Sequence, residues 1–179
     1  MSYVPDATQL LLEPTVTAFF RNCHGDWRSE RRYYTIKSGE TQEVVSDISI
    51  RFLDRESPEL QQLAALHGLP DTMPLLCGTQ VTWESTYVKK AARKPASGST
   101  VFGVRGDILY RDRGFATPKP VTADFYFRDQ HTMVLKTAYD NSSFEEEIRL
   151  IGDRTRTRQT IISRAGEEQV IGQYLEQRC

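Results

Sequence analysis

Arg154, Arg156 and Arg158 stand at alternate positions late in the chain. In an extended strand successive side chains point to opposite faces, so this spacing puts all three guanidinium groups on one face. Turned to solvent they form an exposed basic ladder of mutually repelling charges. Turned into a hollow they form a column of fixed positive charge that calls for an anionic guest. The run Glu145-Glu146-Glu147 puts two carboxylates on one strand face and one on the other, so at least one can point inward. Trp83, between Val81 and Ser85 on one strand face, suits core packing or stacking against a flat ligand. Other chemistry lacks its residues. His24, His67 and His131 have no metal-ligand spacing, and no Gly-rich phosphate loop or nucleophile elbow is present. Cys23, Cys77 and Cys179 form no CxxC, which argues against a disulfide framework and a zinc site; no metal is expected.

These residues need strands to position them, and most of the chain reads as strand. Runs rich in β-branched and aromatic residues cover Trp27–Lys37, Glu43–Leu53, Thr79–Lys89, Ser99–Arg105, Asp107–Arg111, Val121–Arg128, Thr132–Tyr139, Phe144–Ile151, Arg154–Ser163 and Gln169–Leu175. Short connections between them, such as Asp140–Ser142 and Ala165-Gly166, suit antiparallel neighbours. Helices are expected at Thr15–His24, directly after Pro14 with Val16, Phe19 and Phe20 as its apolar face, and at Ser57–His67, with Leu60, Leu63 and Leu66. Lys90–Gly98 reads as a polar loop. About ten strands in one small domain would leave two long edges open. Closure into an up-and-down antiparallel β-barrel removes them and can enclose a cavity; a sandwich with a filled core is the competing arrangement. The fold class is therefore all-β with minor α.

The first strand carries Trp27, Ser29, Arg31, Tyr33 and Thr35 on one face and Arg28, Glu30, Arg32, Tyr34 and Ile36 on the other. Neither face is apolar. That suits a polar-lined pocket, or an edge seen from solvent.

Length and composition agree with a single domain over residues 1–179: 39% of the 179 residues are hydrophobic and 26% charged, enough for one core. A formal charge of −1 gives no global field for nucleic acid or an anionic membrane, so charge recognition must be local. Most of the 23 basic residues are arginine, the type that pairs bidentately with carboxylates. The apolar run Leu10–Leu12 is too short for a signal or a membrane span, and a cytoplasmic protein without membrane insertion is expected.

Gly25-Asp26-Trp27, after a short helix and before a meander, resembles the opening of lipocalin-like barrels. In those barrels the Trp plugs one end under an arginine from a late strand, a role that Arg158 or Arg164 could fill here. Further motifs extend the likeness: Phe19-Phe20, then Trp27-Arg28-Ser29-Glu30-Arg31; Val81-Thr82-Trp83; Gly98–Phe102; Arg111-Asp112-Arg113-Gly114-Phe115-Ala116; and Ser142-Ser143-Phe144-Glu145-Glu146 followed by Arg156-Thr157-Arg158. In order and spacing they resemble the S-type (CpcS/CpeS-like) phycobiliprotein lyases. The likeness runs from Phe19 onward.

That resemblance implies a lipocalin-like barrel that binds a linear tetrapyrrole, a phycobilin such as phycocyanobilin, as substrate, with no permanently bound cofactor. It implies thioether attachment of the pigment to a cysteine of a phycobiliprotein subunit. Glu146, or Glu145 one residue earlier, would hold the pyrrole nitrogens and favour the protonated pigment. Arg156 would join Glu146 in catalysis; Arg31, Arg156 and Arg158 would pair with propionates or orient the pigment; Trp83 and Tyr34 would bind the ligand; Trp27 would be structural. Two departures from the family pattern stand out: Tyr34 where many members have His, and Lys89 where many have a second Trp. Implied partners are the phycobilin, the acceptor subunits, and a second copy or a paralogous lyase in a dimer, in a cyanobacterial cytosol or plastid stroma. A carrier of amphiphilic carboxylates such as fatty acids, and an inactive partner subunit of a paralogous lyase, are the alternatives.

Overall fold

The computed structural model describes residues 7–88 and 94–179. A helix α1 (Ala7–Cys23) precedes strands β1 (Gly25–Thr35) and β2 (Thr41–Asp54). Helix α2 (Pro58–Leu66) follows, and then β3 (Cys77–Tyr87), β4 (Ala96–Arg105), β5 (Ile108–Arg111), β6 (Val121–Asp129), β7 (Thr132–Tyr139), β8 (Ser142–Ile151), β9 (Thr155–Arg164) and β10 (Glu167–Arg178). The ten strands form a closed antiparallel barrel in which each pairs with its sequence neighbours and β1 pairs with β10. Closure leaves no strand edge exposed, the problem that a sandwich would have solved only in part.

Local sequence explains the tight corners. The two residues between β7 and β8, Asp140 and Asn141, both have positive φ (47° and 59°), the geometry of a two-residue hairpin turn that matches strand twist. Asp and Asn tolerate it because their short polar side chains satisfy the backbone locally.

Strand alternation fixes what faces the hollow. On β1 the inward set is Trp27, Ser29, Arg31 and Tyr33, with Trp27 and Ser29 fully buried. At the end where β1 begins, Phe19, Phe20 and Cys23 of α1 enter the main hydrophobic core with Ile48, Ile50, Phe125 and Leu135. The other helix lies outside the barrel, where Leu60 and Leu63 cover Leu53 and Leu75. Gly78 and Gly103, paired across β3 and β4, let α2 approach so closely.

Several expectations need correction. Helix α1 runs through Pro14 instead of starting after it, because an internal proline removes one hydrogen bond without obliging the chain to leave the helix. Ala96–Gly98, expected in a loop, pair with β3, while residues 89–93, with Lys89 among them, lie outside the described residues. Strand β10 extends past Leu175 to Arg178, since Glu176 and Arg178 find partners at the barrel end. The Trp27 ring is met by Arg156 (5.0 Å) and Arg178 (4.3 Å), not by Arg158 or Arg164. Register explains this: Arg178 lies opposite Trp27 and Arg156 is level with Glu176 and Ser29, one inward row away, whereas Arg158 is level with Tyr174 and Arg31, two inward rows away. Only Arg156 and Arg158 of the arginine ladder face inward; Arg154 precedes β9 and is exposed.

Candidate functional site

The barrel encloses a cavity of about 520 Å³, a size typical of small-molecule sites. Its floor is polar but closed. There Arg156 Nε donates to Glu176, whose other oxygen accepts from Ser29 Oγ at 3.1 Å; all three residues are buried. Burial alone would push the Glu176 carboxyl up, but Arg156 and then Arg158 outweigh it and hold the group below the usual carboxylate range. Trp27 Nε1 donates to the Cys23 carbonyl at 2.9 Å and pins the helix to this floor. Arg178 adds bonds to the carbonyls of Asn22, His24 and Asp153.

Higher on the same wall, Arg158 Nη2 donates to Glu146 Oε1 at 2.9 Å. Burial works to lower the Arg158 guanidinium, yet Glu146 and Glu176 raise it, so it stays charged. Its guanidinium lies 4.8 Å from the Tyr174 ring centre, and Arg31 approaches the same ring at 5.4 Å. Tyr33 meets Tyr174 edge to face at 5.8 Å. Four strands from β9 along the ring, β5 contributes Arg111, which packs at 4.7 Å from Phe102 and 4.5 Å from Phe115. Arg113 follows at 5.2 Å from Trp83. Between the walls lie Ile48, Val81, Leu109, Met133, Leu135 and Ile148.

Five arginines therefore line an apolar cavity, Arg31, Arg111, Arg113, Arg156 and Arg158; Glu176 answers Arg156 and Glu146 answers Arg158, which leaves three without a carboxylate partner. Such an excess of buried cation suits a ligand that is mostly apolar and carries more than one acidic group. Among the described residues no cluster of His, Cys, Asp or Glu could hold a metal ion, and no helix is long and apolar enough to cross a membrane.

Of the residues singled out in the sequence, Arg31, Trp83, Glu146, Arg156 and Arg158 line this cavity, and Trp27 closes its floor. Two do not reach it. Tyr34 points to the outer face beside Arg32, because residues inward on β1 are the odd-numbered ones. Glu145 also faces out, exposed, with Lys136 Nζ 3.9 Å away. Arg156, at the floor of the cavity, is tied to Glu176. The sequence reading passed over Tyr33, Tyr174, Arg111 and Arg113. Tyr33 shares the face of Trp27 and Arg31, and both arginines lie in the Arg111–Ala116 motif, so the signals were present.

Similarity to known proteins agrees with this architecture. CpcS 2 of Nostoc sp. (strain PCC 7120 / SAG 25.82 / UTEX 2576) is 55% identical over 166 residues, covering 93% of this chain and 92% of that protein. The phycocyanobilin lyase subunit CpcS of Picosynechococcus sp. is 25% identical over 83% of this chain and 78% of its own. The S-type phycobiliprotein lyase CPES from Guillardia theta superposes with a TM-score of 0.78 over 98% of both chains at 23% identity, which shows a shared fold. A family model described as CpeS-like protein matches residues 15–179, and with the whole barrel inside that match the chain belongs to the CpeS-like family.

Proposed function

We propose that this chain is a phycobiliprotein lyase: it binds a phycobilin in the barrel and promotes thioether attachment of that pigment to a cysteine of a phycobiliprotein subunit. The observation that carries the reading is the arginine excess around an apolar, aromatic cavity whose lining includes the Glu146 carboxylate. A linear tetrapyrrole has the matching chemistry, a conjugated apolar body with two propionates and four pyrrole-type nitrogens. Arg158 and Arg31 receive propionate through charge-assisted hydrogen bonds, and Trp83 offers its ring to the pigment. Glu146, held by Arg158, accepts from pyrrole N–H groups and favours the cationic pigment, whose ethylidene carbon is then more electrophilic. The acceptor thiol adds across that double bond, sulfur to the exocyclic carbon and hydrogen to the ring carbon, with no leaving group. The phycobilin is thus substrate and the nucleophile is the partner's. The work takes place where pigment and acceptor meet, in a cyanobacterial cytosol or plastid stroma. A fatty-acid carrier is less well supported, because a single carboxylate head would leave most of the arginines unanswered.

Titration with phycocyanobilin is expected to give a red-absorbing complex at micromolar pigment. Coexpression with pigment-synthesising enzymes and candidate acceptor subunits should leave fluorescence bound to an acceptor after acid denaturation. In Glu146→Gln, attachment should slow by about a hundredfold or more while pigment still binds. Absence of any spectral change with the parent protein would overturn the reading. Attachment seen only when a paralogous lyase is supplied would make the chain a subunit of a larger enzyme.

A further inference from the structure

Arg156 and Arg158 each have a carboxylate partner, Glu176 and Glu146; among the described residues Arg111 has none. It is 7% exposed, and its Nε, like that of Arg158, is buried without a hydrogen-bond partner. Phe102 and Phe115 pack against the guanidinium, so apolar ring surface occupies space where water would otherwise solvate it. The backbone is held as firmly. The His67 Nε2–H of the outer helix bonds to the Arg111 carbonyl at 2.8 Å, and the loop that brings in Phe115 is fixed by the Ala116 N–H donating to Tyr139 Oη, also at 2.8 Å. Phe115 in turn stacks on Phe144 at 4.7 Å.

The charged groups around this side chain do not answer it. Burial dominates and holds the guanidinium below the ordinary arginine range; Glu146 attracts it, Arg158 repels it, and Asp112 and Tyr139 add weaker attraction. Glu146 already accepts from Arg158, and Asp112 accepts from Thr100 Oγ1 and the Val101 N–H. A largely buried cation without a counter-ion destabilises the empty protein unless a ligand brings one.

We infer that Arg111 is a specificity-determining residue, the receiving station for a second carboxylate of the ligand on the wall away from Arg158. This rests on the lyase reading and assigns its substrate class more narrowly: a dianion whose acidic arms reach two separate walls. The aromatic pair holds the guanidinium in the cavity lining, where an acidic arm of the ligand can pair with it, and a monoacid leaves one station empty.

The test compares phycocyanobilin with its dimethyl ester on the parent protein, Arg111→Met and Arg111→Lys, alongside thermal melts without ligand. Arg111→Met should weaken binding of the free acid roughly 10- to 100-fold, the loss of a charged hydrogen bond, and change ester binding less than threefold. It should also melt higher than the parent when empty, because a buried orphan cation has been replaced by an apolar chain of similar length. Arg111→Lys should recover part of the acid preference. Equal losses for acid and ester would overturn the assignment and leave Arg111 a packing residue, as would unchanged acid binding. If the parent binds neither form, the lyase reading itself fails and the assignment falls with it. An unfolded Arg111→Met protein would contradict the expected gain in stability and count against the proposal.

Discussion

Glu176 and Arg156 form a pair at the barrel floor that is buried on both sides, with side-chain exposures of 0% and 5%. Removing one partner strands the other charge away from water, so Glu176→Met is expected to destabilise the protein by about 3–5 kcal/mol. Its pH signature follows from linkage. The folded Glu176 carboxyl lies below its ordinary value of 4.5, so its stabilisation is complete above that pH and is lost as pH falls towards the folded value. The stability gap between parent and Glu176→Met, measured by urea melts from pH 7 to pH 3, should therefore shrink in the acidic part of the range. A gap that stays constant through pH 3 would contradict this account. Parity was the residue-scale information available in the sequence. Once Trp27 is taken as inward, Arg31 and Tyr33 must follow it and Tyr34 cannot; Glu146 and Glu145 divide in the same way. What the sequence did not disclose is which inward arginines are answered from across the barrel. The pairing of Arg156 with Glu176, and the lack of any partner at Arg111 Nε, depend on neighbours set by ring closure.

At the scale of elements, the placement of α2 depends on two glycines. A Cβ on Gly78 would run into the backbone carbonyl of Phe102, which belongs to the strand pairing and cannot yield cheaply. One on Gly103 would meet side-chain methyls of Leu75, Leu60 and Leu63 at 2.6, 3.1 and 3.2 Å, and these can shift. Gly103→Ala should therefore cost about 1–3 kcal/mol, the usual range for overpacking, and Gly78→Ala more, as read from paired denaturant melts. The reverse order would mean that helix packing, not strand pairing, limits the approach. The helix itself was legible in Ser57–His67 from its apolar spacing, Pro58 and Gly68. Its seat was not, because docking against β3 and β4 depends on the absence of side chains at positions far apart in sequence. Through His67 and the Arg111 carbonyl, this outer helix also reaches the cavity wall.

For the molecule as a whole, a ligand that fills the cavity binds only the closed barrel, so its affinity adds to folding stability. Free phycocyanobilin at one hundred times its Kd should add about 2.7 kcal/mol. For a chain of this size that is a Tm rise of roughly 5–10 °C, at about 2–4 °C for each kcal/mol. Differential scanning fluorimetry or calorimetry checks it, and a Tm that ignores pigment would mean that the folded barrel does not bind it. The barrel as a class could be read from ten short strand runs joined by tight turns. Closure was an argument about edges that only the pairing of β1 with β10 completes.

That seam also sets an order of events. Trp27 lies opposite Arg178, so a chain emerging from the ribosome holds β1 ready long before its partner exists. Until the last strand arrives, both rims of the unfinished cylinder remain adhesive, and the nascent protein is most vulnerable to aggregation. Loss of even a few residues from β10 would be felt first as poor yield and only then as poor chemistry.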